Sequence, residues 1–276
     1  DFWCQGFSEP GAGSDLAAIR TRAIRDGDEW VVDGHKIWTT DAHLADRIFL
    51  LVRTAATGRK QDGISFLLAD MNTPGIEVRP ILTIDGGHSV NEVFLDGVRV
   101  PAANLVGEEG RGWSYAKFLL ANERTDSAQV PRSKRDIARV RRMAAQVPTA
   151  RGVLADDPVF RLRLAEIEAD LMALEYSVLR VLSAAGDGGQ AAAITSTLKI
   201  RGSELQQKTG ELLTTVLGDY RAVFYPDEAE GGEALAVGPQ GAAGIASRNL
   251  YNRAVTIYAG SNEIQREIIA KRILGL

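Results

Sequence analysis

Small residues at Gly11, Gly13 and Ser14, within Phe7-Ser8-Glu9-Pro10-Gly11-Ala12-Gly13-Ser14-Asp15, are the first candidates for chemistry. With no side-chain bulk in the way, backbone N–H groups there can approach a ligand and bind its anionic or carbonyl oxygens. The run Trp38-Thr39-Thr40 is the second candidate, since an aromatic ring and adjacent hydroxyls can stack on and hydrogen-bond a planar ring system. Each has a plainer reading: Glu9-Pro10-Gly11 can be a turn entering a barrel, and Trp38 can be core packing. The single cysteine, Cys4, and the histidines His35, His43 and His88 have no metal-ligand spacing, so no metal site is expected.

The elements that must position these residues follow two patterns. From Asp1 to about Val106 the chain reads as short strands cut by turn dipeptides. Glu29 to Val32 and His35 to Thr40 are read as a hairpin joined at Asp33-Gly34, because Asp-Gly suits turn positions with positive φ. Further strands are expected at Arg47 to Val52, Gly63 to Leu68 and Ile76 to Arg79. Another covers Glu92 to Leu95, with a second turn at Asp96-Gly97 leading into Val98 to Val100. This spacing predicts an antiparallel barrel or sandwich.

From Gly112 the period becomes helical, most clearly in the apolar stripe Leu164, Ile167, Leu171, Leu174, Val178 and Leu182. Asp157-Pro158 reads as that helix's N-cap and first turn, and Gly186 as its end. Helices are also expected at about Gln190 to Leu217, Pro239 to Ala259 and Asn262 to Leu274, with Gly218 as a C-cap and Phe224 to Gly232 as an exposed loop or lid. Amphipathic helices with mostly short links predict a four-helix-type bundle. The fold class is therefore α+β, with a β domain over 1–106 and a helical domain over 107–276.

The 276 residues and 45% apolar content suffice for buried cores, and a net charge of -4 offers no basic footprint for nucleic acid and no polybasic membrane anchor. One cysteine rules out an internal disulfide framework and suits a reducing compartment. No apolar run is long enough to span a bilayer and the first residues do not resemble a signal peptide, so a soluble, cytoplasmic chain is expected. The glycine-rich motif begins almost at the first residue and no initiator methionine precedes it, so an upstream segment is expected to be missing.

Taken in order, Phe7 to Asp15, Lys36-Ile37-Trp38-Thr39-Thr40, Val98-Arg99-Val100-Pro101 with Asn104 to Gly107, Glu123-Arg124 and Tyr258 to Arg266 resemble the acyl-CoA dehydrogenase family. The resemblance covers that family's middle β domain and C-terminal helical domain. Its N-terminal helical domain has no counterpart in the chain. Ile84-Asp85-Gly86-Gly87-His88 with Asn122-Glu123-Arg124-Thr125 is similar to bacterial large subunits of the pimeloyl-CoA dehydrogenase type.

The resemblance implies an FAD flavoprotein of lipid and fatty acid metabolism that introduces a trans double bond between the α and β carbons of an acyl-CoA. By position, Gln5, Phe7, Ser8, Gly13, Ser14, Trp38, Thr39, Thr40 and Ser261 would bind the cofactor. Ser14, Arg124, Ala259 and Gly260 would face the substrate. Many members carry the catalytic glutamate directly after the tyrosine of the Tyr258 segment, where this chain has Ala259. A smaller group carries it on the first long helix of the C-terminal domain, directly before an arginine, which makes Glu123 the expected general base. Desolvation in an acyl channel would raise its pKa and suit it to that role. Glu263 and Leu217-Gly218-Asp219-Tyr220-Arg221 depart from the family pattern around the adenine and diphosphate. Implied partners are an acyl-CoA, an electron-transfer flavoprotein as electron acceptor and further subunits in a dimer or tetramer. A non-catalytic subunit of a heteromeric dehydrogenase is the alternative, and an acyl-CoA oxidase a third reading.

Overall fold

A computed structural model describes residues 1–56, 58–126, 128–183, 190–223 and 238–276, and of 121–126 and 190–193 only the backbone. The chain divides into one unit of Asp1–Thr83 with His88–Leu120 and another of Ile84–Gly87 with Ala121–Leu276.

The first unit is a 7-stranded sheet. Its strands are β1 (Trp3–Gly6), β2 (Arg22–Asp26), β3 (Glu29–Thr40), β4 (Arg47–Arg53), β5 (Ile64–Asp70), β6 (Ile76–Ile81) and β7 (Val90–Pro101), in the order β1-β4-β2-β3-β7-β6 with β5 on β4. The ladders are antiparallel except where β4 runs parallel to β1 and meets β2. β4 is apolar on both faces because it divides two cores. Ile48, Leu50 and Val52 join Trp30, Val32, Val93 and Val98 on one side. On the other, Leu51 packs with Phe7, Ala12, Ile19 and Phe66, and with Ala116 of α1 (Gly112–Asp126). The glycine-rich segment after β1 is thereby built into the second core.

Neither expected Asp-Gly turn exists. β3 runs through Asp33-Gly34 and β7 through Asp96-Gly97 without a break. The register passes from Val32↔Val98 to Gly34↔Leu95, so Asp96 and Gly97 together oppose Asp33 in a β-bulge. Gly97 takes a φ of 58° and donates its N–H to Asp33 Oδ1 at 2.9 Å. A bulge of the type with a left-handed glycine, like a two-residue hairpin turn, uses positive φ, which is why the signal at Asp96-Gly97 is shared; Gly34 has no positive φ. The hairpin in this region joins β2 to β3, pairing Asp26 with Glu29 around Gly27 at a φ of 59°.

The second unit contains α2 (Val130–Ala144), α3 (Pro158–Ser183), α4 (Gln190–Val216), α5 (Ile245–Tyr251) and α6 (Asn262–Ile269), together with the residues of α1 from Ala121. A short hairpin of β8 (Pro148–Thr149) and β9 (Gly152–Val153) precedes α3. α4 packs on α2, α3 and α6, burying Leu198, Leu205, Leu212 and Val216 against Val140, Ile167, Leu171 and Leu174. Asp157 caps α3 as expected, accepting from Phe160 N at 2.8 Å with Pro158 in the first turn. Leu182 does not join the core and is 57% exposed. Gly218 ends the α4 region at a φ of 56°. The helix expected over Pro239 to Ala259 is confined to α5 and a 3-10 turn at Asn252–Thr256, since Gly241 and Gly244 are left-handed at 80° and 71°. Gly186 and the loop expected at Phe224 to Gly232 lie outside the described residues. Among those described, no helix is long and apolar enough to cross a membrane.

Gly34, beside the bulge at Asp33 and Gly97, lies against buried Thr21, where a Cβ on Gly34 would lie 2.3 Å from Thr21 Oγ1. Gly34→Ala is expected to destabilise the protein by about 1–3 kcal/mol, read as a lower urea midpoint at unchanged slope.

Candidate functional site

The candidate residues fall into two groups, one in each unit. The first is organised by a buried ion pair. Lys36 is fully buried in β3, and its Nζ donates to Glu9 Oε1 at 2.8 Å, Leu51 O at 2.7 Å and Phe7 O at 3.2 Å. The Glu9 carboxylate also accepts from Arg20 N at 2.6 Å and Thr21 N at 3.0 Å. Burial pushes the Lys36 ammonium down to about 8 against the pull of Glu9, so it stays charged at neutral pH. Burial also pushes Glu9 upward, but Lys36 and the surrounding donors outweigh it and hold the carboxyl below its ordinary 4.5.

This pair pins the chain on both sides of the glycine motif. Glu9 and Ala12 exchange backbone hydrogen bonds at 3.1 and 2.9 Å around Pro10-Gly11, so the tight turn is real, and Glu9's side chain locks it to the sheet. Ser8 O accepts from Ile37 N at 2.9 Å, which draws Phe7 and Ser8 beside the end of β3. Phe7 itself points into the core, edge-on to Phe49 and Phe66. Gly13 and Ser14 are exposed, and a Cβ on Gly11 or Gly13 would meet nothing within 4 Å.

Beyond Lys36 the β3–β7 register slips again, from Lys36↔Val93 to Thr39↔Asn91, inserting an extra residue into β3. Trp38 occupies this bulge at a φ of 61°, and its side chain is 56% exposed while Thr39 beside it is buried. A bulky residue at positive φ is uncommon and strained. The bulge re-aims Trp38 out of the sheet, so the reading of Trp38 as core packing is overturned. Thr40 is exposed and Gln5 half-buried. The backbone of Phe7 and Ser8 thus runs beside the end of β3 that carries Trp38, Thr39 and Thr40, with the side chains of Phe7 and Thr39 buried and those of Trp38 and Thr40 exposed.

The second group surrounds the segment between the 3-10 turn and α6. Ala259, at a φ of 53°, and Gly260, at 79°, are both left-handed and exposed. Gln265 is fully buried and its Nε2 donates to Gly260 O at 3.2 Å, while a Cβ on Gly260 would lie 2.5 Å from that nitrogen. Ser261 caps α6, its hydroxyl accepting from Ile264 N at 3.4 Å. Beneath the segment, buried Lys199 of α4 donates to Val255 O at 2.8 Å and Asn262 Oδ1 at 3.3 Å. Burial pushes its ammonium down to about 8, with Glu263 pulling the other way.

The side chains of Glu123 and Arg124 lie outside the described residues; their backbone is on α1. Cys4 is buried and burial pushes its thiol up to about 12, which removes it as a nucleophile. Among the described residues no cluster could hold a metal ion. Sequence reasoning passed over the roles of Glu9, Lys36 and Lys199. For Lys36 the available signal was a lysine on an otherwise inward face of β3.

Comparison with known proteins gives a consistent result. The acyl-CoA dehydrogenase middle domain matches residues 4–98 and the C-terminal domain of the same family matches residues 110–274. Acyl-CoA dehydrogenase IpdE1 of Mycobacterium tuberculosis is 38% identical over 277 residues, spanning 100% of this chain and 67% of that protein. The solved ChsE4-ChsE5 complex from Mycobacterium tuberculosis matches with a TM-score of 0.83 at 33% identity, over 99% of this chain and 68% of the other. A structure described as the Tcur3481-Tcur3483 steroid ACAD matches with a TM-score of 0.85 at 31% identity, over 99% and 68%.

The Lys36–Glu9 pair makes a direct test possible. Lys36→Met leaves a buried carboxylate without its cation and is expected to cost about 3–5 kcal/mol, whereas Lys36→Met combined with Glu9→Gln recovers much of that loss in the same urea titration. Because the folded Glu9 pKa lies below its unfolded value, its contribution is present above about pH 4.5 and lost as the pH falls through the folded value. The double variant is expected to lose less stability on acidification than the wild type.

Proposed function

Because the chain belongs to the acyl-CoA dehydrogenase family of oxidoreductases, we propose that it binds FAD and catalyses α,β-dehydrogenation of an acyl-CoA thioester to a trans-2-enoyl-CoA. The supporting observation is Trp38, an exposed indole held at a strained φ in a bulge braced by a buried ion pair. Packing gives no reason for this arrangement, whereas a platform for a planar ring does. The edge fits the cofactor in a second respect. Glycine at 11 and 13 is not required by the chain's own packing, so the space beside them is available to a ligand.

In this reading residues 1–106 form the flavin and acyl-CoA domain and 107–276 the helical domain. Gln5, Phe7, Ser8, Gly13, Ser14, Trp38, Thr39, Thr40 and Ser261 hold FAD, with Ser14 also near the CoA arm. When bound, FAD supplies the acceptor for the hydride leaving the β carbon. Glu123 takes the α proton, a role the methyl group of Ala259 cannot perform. As that proton leaves, negative charge grows on the thioester oxygen, and the Ala259 N–H is the donor that stabilises it there. Arg124 and Gly260 complete the acyl-side contacts. Electrons pass onward to an electron-transfer flavoprotein, and the chain works in the cytoplasm as part of an oligomer. Exposed Met172, Tyr176 and Leu179, at three- and four-residue steps on α3, support such an assembly.

A second reading, a subunit that needs a different chain for activity, is favoured by the likeness to the ChsE4-ChsE5 complex. The steroid description of another similar structure makes a polycyclic acyl-CoA the first substrate to assay, beside linear ones. Glu123→Gln should keep the yellow flavin yet slow its bleaching by acyl-CoA by about 10²–10⁴-fold. Bleaching within a few-fold of wild type would remove Glu123 from the role of base. Wild-type protein that bleaches only after co-expression with a partner chain would establish the subunit reading.

A further inference from the structure

We propose that Asn91, clamped between His43 and His88, is a positioning residue that sets the orientation of Trp38 and thereby the seating of the flavin ring. This rests on the reading of Trp38 as the flavin platform. Asn91 is fully buried near the start of β7, opposite Thr39. Its Nδ2 donates to Thr39 O at 3.1 Å and to His43 Nδ1 at 3.2 Å, and its Oδ1 accepts from His88 Nε2 at 2.7 Å. Both amide hydrogens and the amide oxygen are therefore engaged. The two imidazoles stack with centroids 4.1 Å apart and planes at 24°.

The amide of Asn91 grips the first carbonyl after the bulge, at the point where β3 has just taken in its extra residue. Immediately beyond, Asp41, also left-handed at a φ of 52°, is held by its N–H to Ser89 O at 2.8 Å. The left-handed residues Trp38 and Asp41 thus bracket a segment fastened to Ser89 and Asn91 at the start of the opposing strand. Tertiary structure must impose such conformations, because the local backbone disfavours them. An apolar side chain at 91 could fill the space and keep the strand ladder, but it could not hold the Thr39 carbonyl. Nor would it give the histidines a partner, and a buried amide is tolerated only when its bonds are made. The bonds also fix the ring tautomers: His43 accepts at Nδ1, and His88 donates from Nε2.

The test uses the full-length protein stripped of FAD and titrated with FAD, following quenching of flavin fluorescence, with melting temperature recorded in parallel. Trp38→Ala serves as the reference variant and is expected to weaken FAD at least about tenfold. Asn91→Ala and His88→Leu are expected to weaken FAD about tenfold, while His88→Gln, which keeps an amide donor for Asn91 Oδ1, stays within about twofold of wild type. If Asn91→Ala fails to fold, the two His88 variants carry the test, since they alter an exposed ring rather than the buried amide. Positioning is upheld if His88→Leu and His88→Gln melt alike and differ in affinity. It is overturned if affinity simply follows melting temperature across the set, or if Asn91→Ala and His88→Leu bind FAD as tightly as wild type while Trp38→Ala does not. Wild-type affinity in Trp38→Ala would instead sink the platform reading itself.

Discussion

A lysine ammonium sealed inside a β-sheet against a glutamate carboxylate is the constraint on which the candidate cofactor edge depends. Lys36 and Glu9 lie far apart in sequence, and each carries backbone partners with it. The lysine reaches the carbonyls of Phe7 and Leu51, and the glutamate gathers the amides of Arg20 and Thr21. One charged contact therefore joins the glycine-rich turn, the middle of β3, β4 and the start of β2. Buried ion pairs of this kind add little net stability compared with apolar packing, but they are costly to break singly. That property suits an edge that must stay fixed without a ligand to shape it.

On this rigid base the sheet carries local irregularities instead of regular pairing. The bulge at Asp33 and Gly97 bends the β3–β7 ribbon, and the bulge at Ile37 and Trp38 turns an indole outward at a φ that tryptophan rarely adopts. The second unit repeats the device without a sheet. Ala259 and Gly260 sit left-handed in an exposed segment held from below by Lys199, Gln265 and Asn262. In both units strained and exposed backbone is supported by buried, hydrogen-bonded polar side chains. The strain is retained because the surroundings leave the chain no alternative.

The strands and long helices were legible because their burial follows simple periods: alternation along β7, three- and four-residue steps along α3. β2 was missed because only Ala23 of its residues is buried, so the strand lacks an apolar pattern. The Asp-Gly pairs were misread because Asp-Gly also occurs within a strand: Gly97 is the left-handed residue of a bulge, Gly34 has no positive φ, and only the partner strand's register separates these cases from a hairpin. The helix expected over Pro239 to Ala259 ignored Gly241 and Gly244, whose left-handed backbone interrupts it. The glycine motif and Trp38-Thr39-Thr40 were readable by residue type and resemblance. Their supports were not, because Glu9 meets Lys36 and Asn91 meets His43 only through tertiary pairing of distant segments, and a charged or amide side chain is ordinarily expected at the surface.

The central claim is that the Trp38 edge is the seat of the flavin ring. A crystal structure of the full-length protein with FAD bound tests it most directly. The isoalloxazine is expected beside Trp38, with ring centroids about 4.5–7 Å apart, the Lys36–Glu9 pair intact beneath it and Trp38 still left-handed. A flavin bound elsewhere, with the Trp38 indole left in solvent, would contradict it.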